Sequence, residues 1–269
     1  MPDGGLPDAG GTEKGIGVLE GNDFHRGLSS LGYDESLTLR SLFDEPRRMR
    51  LRFMNVYGLH GCLDGLSPPN LDGTKMTRAT VFKASTYRRM PWKNGAGETV
   101  EIAVSPEGAA LSDFDWRISM ATVATDGPFS IFPGIDRTLS ILEGNGMSLS
   151  IDGGAPVLLT QDSDPLAFPA DVSVSATLAD GTITDLNVMS RRASLRHKVE
   201  RIDVDATSTL KVHATTWVAL CHRGDVILEC GGNRADLGPG DAFLLEGGQG
   251  ADVVLSGRAL CYLIAIEST

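Results

Sequence analysis

Residues 90–104 read MPWKNGAGETVEIAV. From Glu98 onward the side chains alternate: Val100, Ile102 and Val104 fall on one face and Thr99, Glu101 and Ala103 on the other, the period of a β-strand with one apolar and one polar face. The Asn94-Gly95-Ala96-Gly97 stretch before it is a loop, because glycine reaches backbone conformations closed to other residues and lets a ligand approach the main chain. Asn94, Gly95, Thr99 and Glu101 are therefore candidate binding groups. A plain hairpin with Thr99 and Glu101 turned to solvent fits this segment equally well, since a G-x-G without a following helix is a weak phosphate signal.

The same alternation recurs at a distance. In 115–121, Trp116, Ile118 and Met120 share one face, and Arg117, Ser119 and Ala121 the other. In 185–189, Asp185, Asn187 and Met189 lie opposite Leu186 and Val188. If the three polar faces converge, they line a pocket with Thr99, Glu101, Arg117, Ser119 and Asn187, and with Asn94 near its mouth. Buried polar groups without partners cost roughly 1–3 kcal/mol each, so such a lining needs internal pairing or a ligand. A Glu101–Arg117 ion pair is the internal alternative. Phe129 and Phe132, in FSIFPGIDR (129–137), could wall a flat ligand, with Trp116 a further wall candidate; core packing is the commoner use of such aromatics. Asp136 with Arg137 reads equally as a structural ion pair, and Arg191 and Arg192 either answer a carboxylate at the rim or, as is commoner for arginines beside a strand end, are solvated.

Short strands separated by Gly, Pro and Asp turns fill the chain after residue 76: 79–83, 98–104, 115–121, 137–143, 148–151, 155–159, 172–178 and 184–188, then 217–222, 225–229, 242–245, 251–255 and 259–266. This spacing predicts an all-β sandwich or barrel.

MPWKNGAGETVEI, WRISMATVATDGPFSIFPGIDRTLSILEGNGMSL (116–149) and DGTITDLNVMSRR (180–192) resemble, in order, the signature of the HutD/Ves family of small bicupin proteins. The resemblance covers most of 76–269. LGPGD (237–241) is likewise similar to the P-G-D turn of cupins. The resemblance implies a double-stranded β-helix (jelly roll) bicupin, with a first cupin module at 76–195 holding the ligand pocket and a second at 196–269 packed on it. It also implies a small metabolite ligand, an intermediate of histidine breakdown such as urocanate or formylglutamate, and a regulatory role. Arg117 would pair bidentately with a carboxylate. MTRATVFKASTYRRMPWKNG, from Met76, resembles the usual start of the family. Residues 1–75 are then a mostly unstructured extension, with one helical pattern at 34–43 and a basic segment, RRMRLRF, at 47–53.

The formal charge of -11 disfavours nucleic acid and anionic membranes as partners, and no apolar run reaches a membrane span. A cytoplasmic protein is expected, with a free edge strand allowing a homodimer. Cys62, Cys221, Cys230 and Cys261 lack C-x-x-C spacing and read as buried free thiols, with a Cys221–Cys230 hairpin disulfide the alternative. No histidine lies between His60 and His197, so the first module offers no imidazole, and neither a metal nor another cofactor is expected. Two readings from other classes stay open: a metal-independent isomerase or hydrolase with Glu101 as general base, and a ligand-free scaffold whose polar groups pair internally.

Overall fold

A computed structural model describes residues 77–92, 95 and 97–269. The expected extension at 1–75, with its helical pattern and basic segment, lies outside the described residues, as do Cys62 and Asn94. The described chain is all-β, a jelly-roll bicupin with a single 3-10 turn at Ala84–Thr86.

In chain order the strands are β1 (Arg78–Phe82), β2 (Arg88–Pro91), β3 (Gly97–Ser105), β4 (Trp116–Val123), β5 (Gly127–Pro128), β6 (Ile135–Glu143), β7 (Met147–Ile151) and β8 (Val157–Leu159). Then follow β9 (Leu166–Pro169), β10 (Val174–Leu178), β11 (Ile183–Arg191), β12 (Leu195–Lys211), β13 (Thr216–Cys230), β14 (Asn233–Leu237), β15 (Ala242–Glu246) and β16 (Asp252–Ser268). The first sheet runs β2-β3-β4-β11-β6-β9 and the second β5-β10-β7-β8. The third runs β1-β15-β13-β16-β12, with β14 also on β13. All pairings are antiparallel.

Period-two alternation gives the first sheet two occupied faces. Inward, Ala121, Leu139, Ile141 and Ile183 meet Met147, Leu149, Val174 and Ala176 of the second sheet, and this cluster closes the first barrel. Outward, Trp116, Ile118, Leu186 and Val188 meet Val218, Leu220, Leu244, Tyr262 and Ile264 of the third sheet. Each fully buried side chain of this size contributes roughly 1.5–3 kcal/mol, so the two modules cover each other's apolar faces. A polar clasp adds to the contact. On β12, His197 is held between Ser190 Oγ at its Nδ1 (2.6 Å) and Thr138 Oγ1 at its Nε2 (2.9 Å). Burial pulls this imidazole down to about 4, so it stays neutral, one nitrogen donating and one accepting.

β1 lies in the first module by sequence and in the third sheet by pairing: Arg78–Phe82 runs antiparallel to β15. The P-G-D turn fixes the chain that follows. Asp241 Oδ1 accepts the Ala84 N–H at 2.9 Å, its Oδ2 accepts Lys83 Nζ at 2.7 Å, and the Tyr87 hydroxyl donates to Gly240 O at 2.7 Å.

Two sequence-predicted turns are bends inside long strands. Residues 217–229 form one strand, β13, and 252–266 belong to another, β16. Gly224 (φ 75°) and Gly257 (φ 144°) let these strands fold over without breaking the ladder; a Cβ at either would lie 2.1 or 2.3 Å from a carbonyl of the partner strand. Cys221 and Cys230 therefore share one strand, which rules out a hairpin disulfide between them. Cys221 faces Cys261, and all three described cysteines are free and buried.

Candidate functional site

The inward face of the first sheet carries a polar layer set out by strand register. One row runs Thr99–Ala121–Asp185–Ile141 across β3, β4, β11 and β6, and the next runs Glu101–Ser119–Asn187–Leu139. A third runs Arg117–Met189–Arg137, and Arg137 is paired on its far side with Phe168 of β9. Neighbouring strands lie about 4.8 Å apart, which sets the Arg117 and Arg137 backbones roughly 10 Å from each other. Apolar clusters close the layer on both sides, one around Leu139 and Ile141, the other around Phe114, Ile135 and Met189.

Both arginines are buried, at 4% and 6% exposure, and both have nitrogen atoms without acceptors. Arg117 donates from Nε to Glu101 Oε2 at 2.8 Å and from Nη1 to Ser119 Oγ at 3.3 Å, while its Nη2 has no partner. Arg137 has no carboxylate in contact among the described residues. Its Nη2 meets only the thioether of Met189 at 3.6 Å, its Nε has no partner, and its guanidinium lies 5.1, 5.4 and 6.0 Å from the ring centres of Phe129, Phe132 and Phe168. Burial pulls Arg137 down to about 10, with Asp185 opposing and Arg117 reinforcing the shift.

Asp185 is 1% exposed and accepts a short hydrogen bond on Oδ1 from Asn187 Nδ2. Burial pushes its carboxyl up to about 7, against the Arg137 charge, the Ala121 backbone N–H and the Asn187 amide. Thr99 is covered by Trp92, whose indole Nε1 donates to Thr99 Oγ1 at 2.8 Å. Gly97 makes that cover possible: a Cβ there would lie 2.1 Å from Thr122 O and 2.9 Å from the Trp92 ring.

The structure thus brings together Thr99, Glu101, Arg117, Ser119 and Asn187, with Phe129 against the neighbouring guanidinium. Trp116 is a correction. Adjacent strand residues point to opposite faces, so Trp116 is turned away from Arg117 and into the core between the modules. Gly95 is exposed in the β2–β3 turn, its N–H bonded to Trp92 O at 3.0 Å, while Thr99 and Glu101 on β3 are turned into the layer and not to solvent. Asn94 lies outside the described residues. Asp136 and Arg137 likewise point apart: Asp136 pairs with Arg192 at 2.7 Å, and Arg192 also binds Asp171 at 2.9 Å, which makes this arginine structural. Sequence reasoning left Arg137, Asp185, Trp92 and Phe168 out of the site. Strand alternation could have supplied the first two.

Among the described residues no three or more His, Cys, Asp or Glu side chains are grouped to hold a metal ion, and no helix is long and apolar enough to cross a membrane. The layer presents paired and unpaired guanidinium N–H groups, hydroxyls, an amide and the carboxylates of Glu101 and Asp185, enclosed by aromatic rings.

A family model described as HutD matches residues 84–263. An uncharacterized 21.2 kDa protein in the hutC 3' region of Pseudomonas putida is 35% identical over 175 residues, covering 64% of this chain and 89% of that protein. Protein Ves of Citrobacter koseri is 42% identical over 120 residues, 43% of this chain and 61% of Ves, so the match spans less than two thirds of that relative. The solved structure of HutD from Pseudomonas fluorescens SBW25, in a formate condition, superposes with a TM-score of 0.62 at 32% identity, covering 71% of this chain and all of that one. With the matched residues running from the 3-10 turn into β16, across every strand of the polar layer, the chain belongs to the HutD family.

Proposed function

We propose that this chain is a cytoplasmic binding protein whose first barrel takes a small carboxylate metabolite between Arg117 and Arg137, in a regulatory role. The observation that supports it is the pair of buried guanidinium groups with unpartnered N–H donors, Arg117 Nη2 and Arg137 Nε, on one face of one sheet. A buried donor left empty costs roughly 1–3 kcal/mol, and a carboxylate would satisfy both. A scaffold with internal pairing accounts for Glu101 with Arg117 but leaves these two donors without a purpose.

Histidine-breakdown intermediates, urocanate or formylglutamate, are the ligands we favour, on the family's association with histidine utilisation. Isothermal titration of the full chain with each compound tests the reading. Saturable binding that is lost in Arg117→Met/Glu101→Gln, a variant that removes the guanidinium without stranding the carboxylate, supports it; no binding of either compound by folded protein contradicts it.

A further inference from the structure

The polar layer holds one carboxylate more than its two arginines can match once an anion is bound. Arg117 and Arg137 contribute two positive charges and Glu101, bound to Arg117, one negative. One surplus positive charge remains. Two groups compete for it: an incoming anion, and Asp185, which shares the inward face with Ser119, Asn187 and both arginines yet makes no ion pair within 4.0 Å among the described residues. If Asp185 kept its charge with an anion bound, the filled layer would carry net negative charge in a water-poor interior, where like charges are poorly screened.

We propose that Asp185 exchanges charge with the ligand: when one carboxylate of the ligand enters the layer between Arg117 and Arg137, the Asp185 carboxylate takes up a proton from solvent and becomes a neutral acid hydrogen-bonded to Asn187. This rests on the binding reading above and adds that the ligand enters as an anion accompanied by a proton. The balance is simple. One O–H bond forms on Asp185, the proton comes from buffer, and the net charge of the layer is unchanged.

The groups facing Asp185 from each packed element bear this out as the group that titrates. β3 presents Thr99 and Glu101, β4 presents Arg117 and Ser119, and β6 presents Arg137. The opposite sheet presents Met147, Leu149, Val174 and Ala176, none of which titrates. Burial has already raised Asp185 to about 7, so near neutral pH the empty site is divided between its two forms, and little is needed to shift it. Affinity should therefore be greatest below pH 7 and fall by about tenfold per pH unit above it, because Asp185 is then empty of its proton and binding has to take one from solvent whose proton concentration falls tenfold per unit.

The test is calorimetric titration of the full chain with formylglutamate, and separately with formate, neither of which has a group titrating between pH 6 and 9. At pH 8, heats measured in phosphate and in Tris should differ by the buffers' ionisation heats, with nearly one proton taken up per ligand. Asp185→Asn should bind with a dissociation constant that does not change with pH and should show no buffer dependence. Heat that is the same in both buffers for the wild type would overturn this inference and leave the binding reading standing. No heat with either anion would remove both.

Discussion

Arg117 reaches diagonally across β3 and β4 to Glu101 at 2.8 Å, past Val104, the residue opposite it in the ladder. A β-bulge between Glu101 and Ala103 interrupts the register beside this contact, a common device for re-aiming a side chain at a site. Glu101 is 15% exposed and Arg117 5%, so each depends on the other for charge compensation. Glu101→Gln or Arg117→Met alone should lower unfolding free energy by roughly 3–5 kcal/mol, because each strands a buried charge. The double variant Arg117→Met/Glu101→Gln should lose much less than the sum. Urea unfolding of the four proteins reads the coupling, and additive losses would contradict a paired role.

Arg137 should behave in the opposite way. Its contacts are three aromatic rings and a thioether, worth roughly 0.5–2 kcal/mol as cation–π attraction against a desolvation penalty of several kcal/mol. Arg137→Met, which keeps the packing, should be as stable as the wild type or more so in urea at pH 6, where most of Asp185 is protonated. A loss above about 2 kcal/mol would mean that Arg137 is a structural residue.

His197 and Asp185 impose opposite pH dependences on stability. The imidazole sits at about 4 in the fold against an ordinary 6.5, so between those values the unfolded chain binds more protons and stability falls as pH is lowered. The Asp185 carboxyl sits at about 7 against 3.8, so the folded chain binds more protons in that window and stability falls as pH rises from about 4 to 7. Each slope is at most about 1.4 kcal/mol per pH unit, and the two largely offset in the wild type. Asp185→Asn should gain on the wild type steadily from pH 4 to 7, and His197→Gln should gain on it as pH falls from 6.5 to 4. A difference that does not vary with pH, in either comparison, would show that the group is not held in the assigned form.

Gly97→Ala should disturb the cover over Thr99. The added methyl would meet Thr122 O and the Trp92 ring at distances no Cβ adopts, so Trp92 must leave its place. A loss of about 1–3 kcal/mol is expected, together with a red-shifted Trp92 emission and a weakened response to ligand. Unchanged emission would place Trp92 elsewhere.

Much of the first barrel was legible because a strand's period of two ties face to sequence. Arg117 and Ser119 against Trp116 and Ile118, and Asp185 and Asn187 against Leu186 and Val188, needed only alternation to be sorted, and the same rule read more strictly would have kept Trp116 out of the site and Arg137 in it. Other features depend on pairing between distant segments, which local pattern does not encode. These include β1 joining β15 across the chain, Phe168 lying beside Arg137 through β9, and Trp92 folding back over Thr99. Gly224 and Gly257 misled for a physical reason. A glycine between two apolar runs serves a turn or a bulge equally well, and only the partner strand decides which.

The central claim is that the two buried guanidinium groups exist to hold a carboxylate, and the most direct measurement is the melting temperature of the full chain, titrated with urocanate and formylglutamate, for the wild type and Arg137→Met. A ligand at 100 times its dissociation constant should stabilise the wild type by about 2.7 kcal/mol, a rise of several degrees, while the well-folded Arg137→Met shows none. Equal shifts in the two proteins, or no shift in a cooperatively melting wild type, would contradict the account.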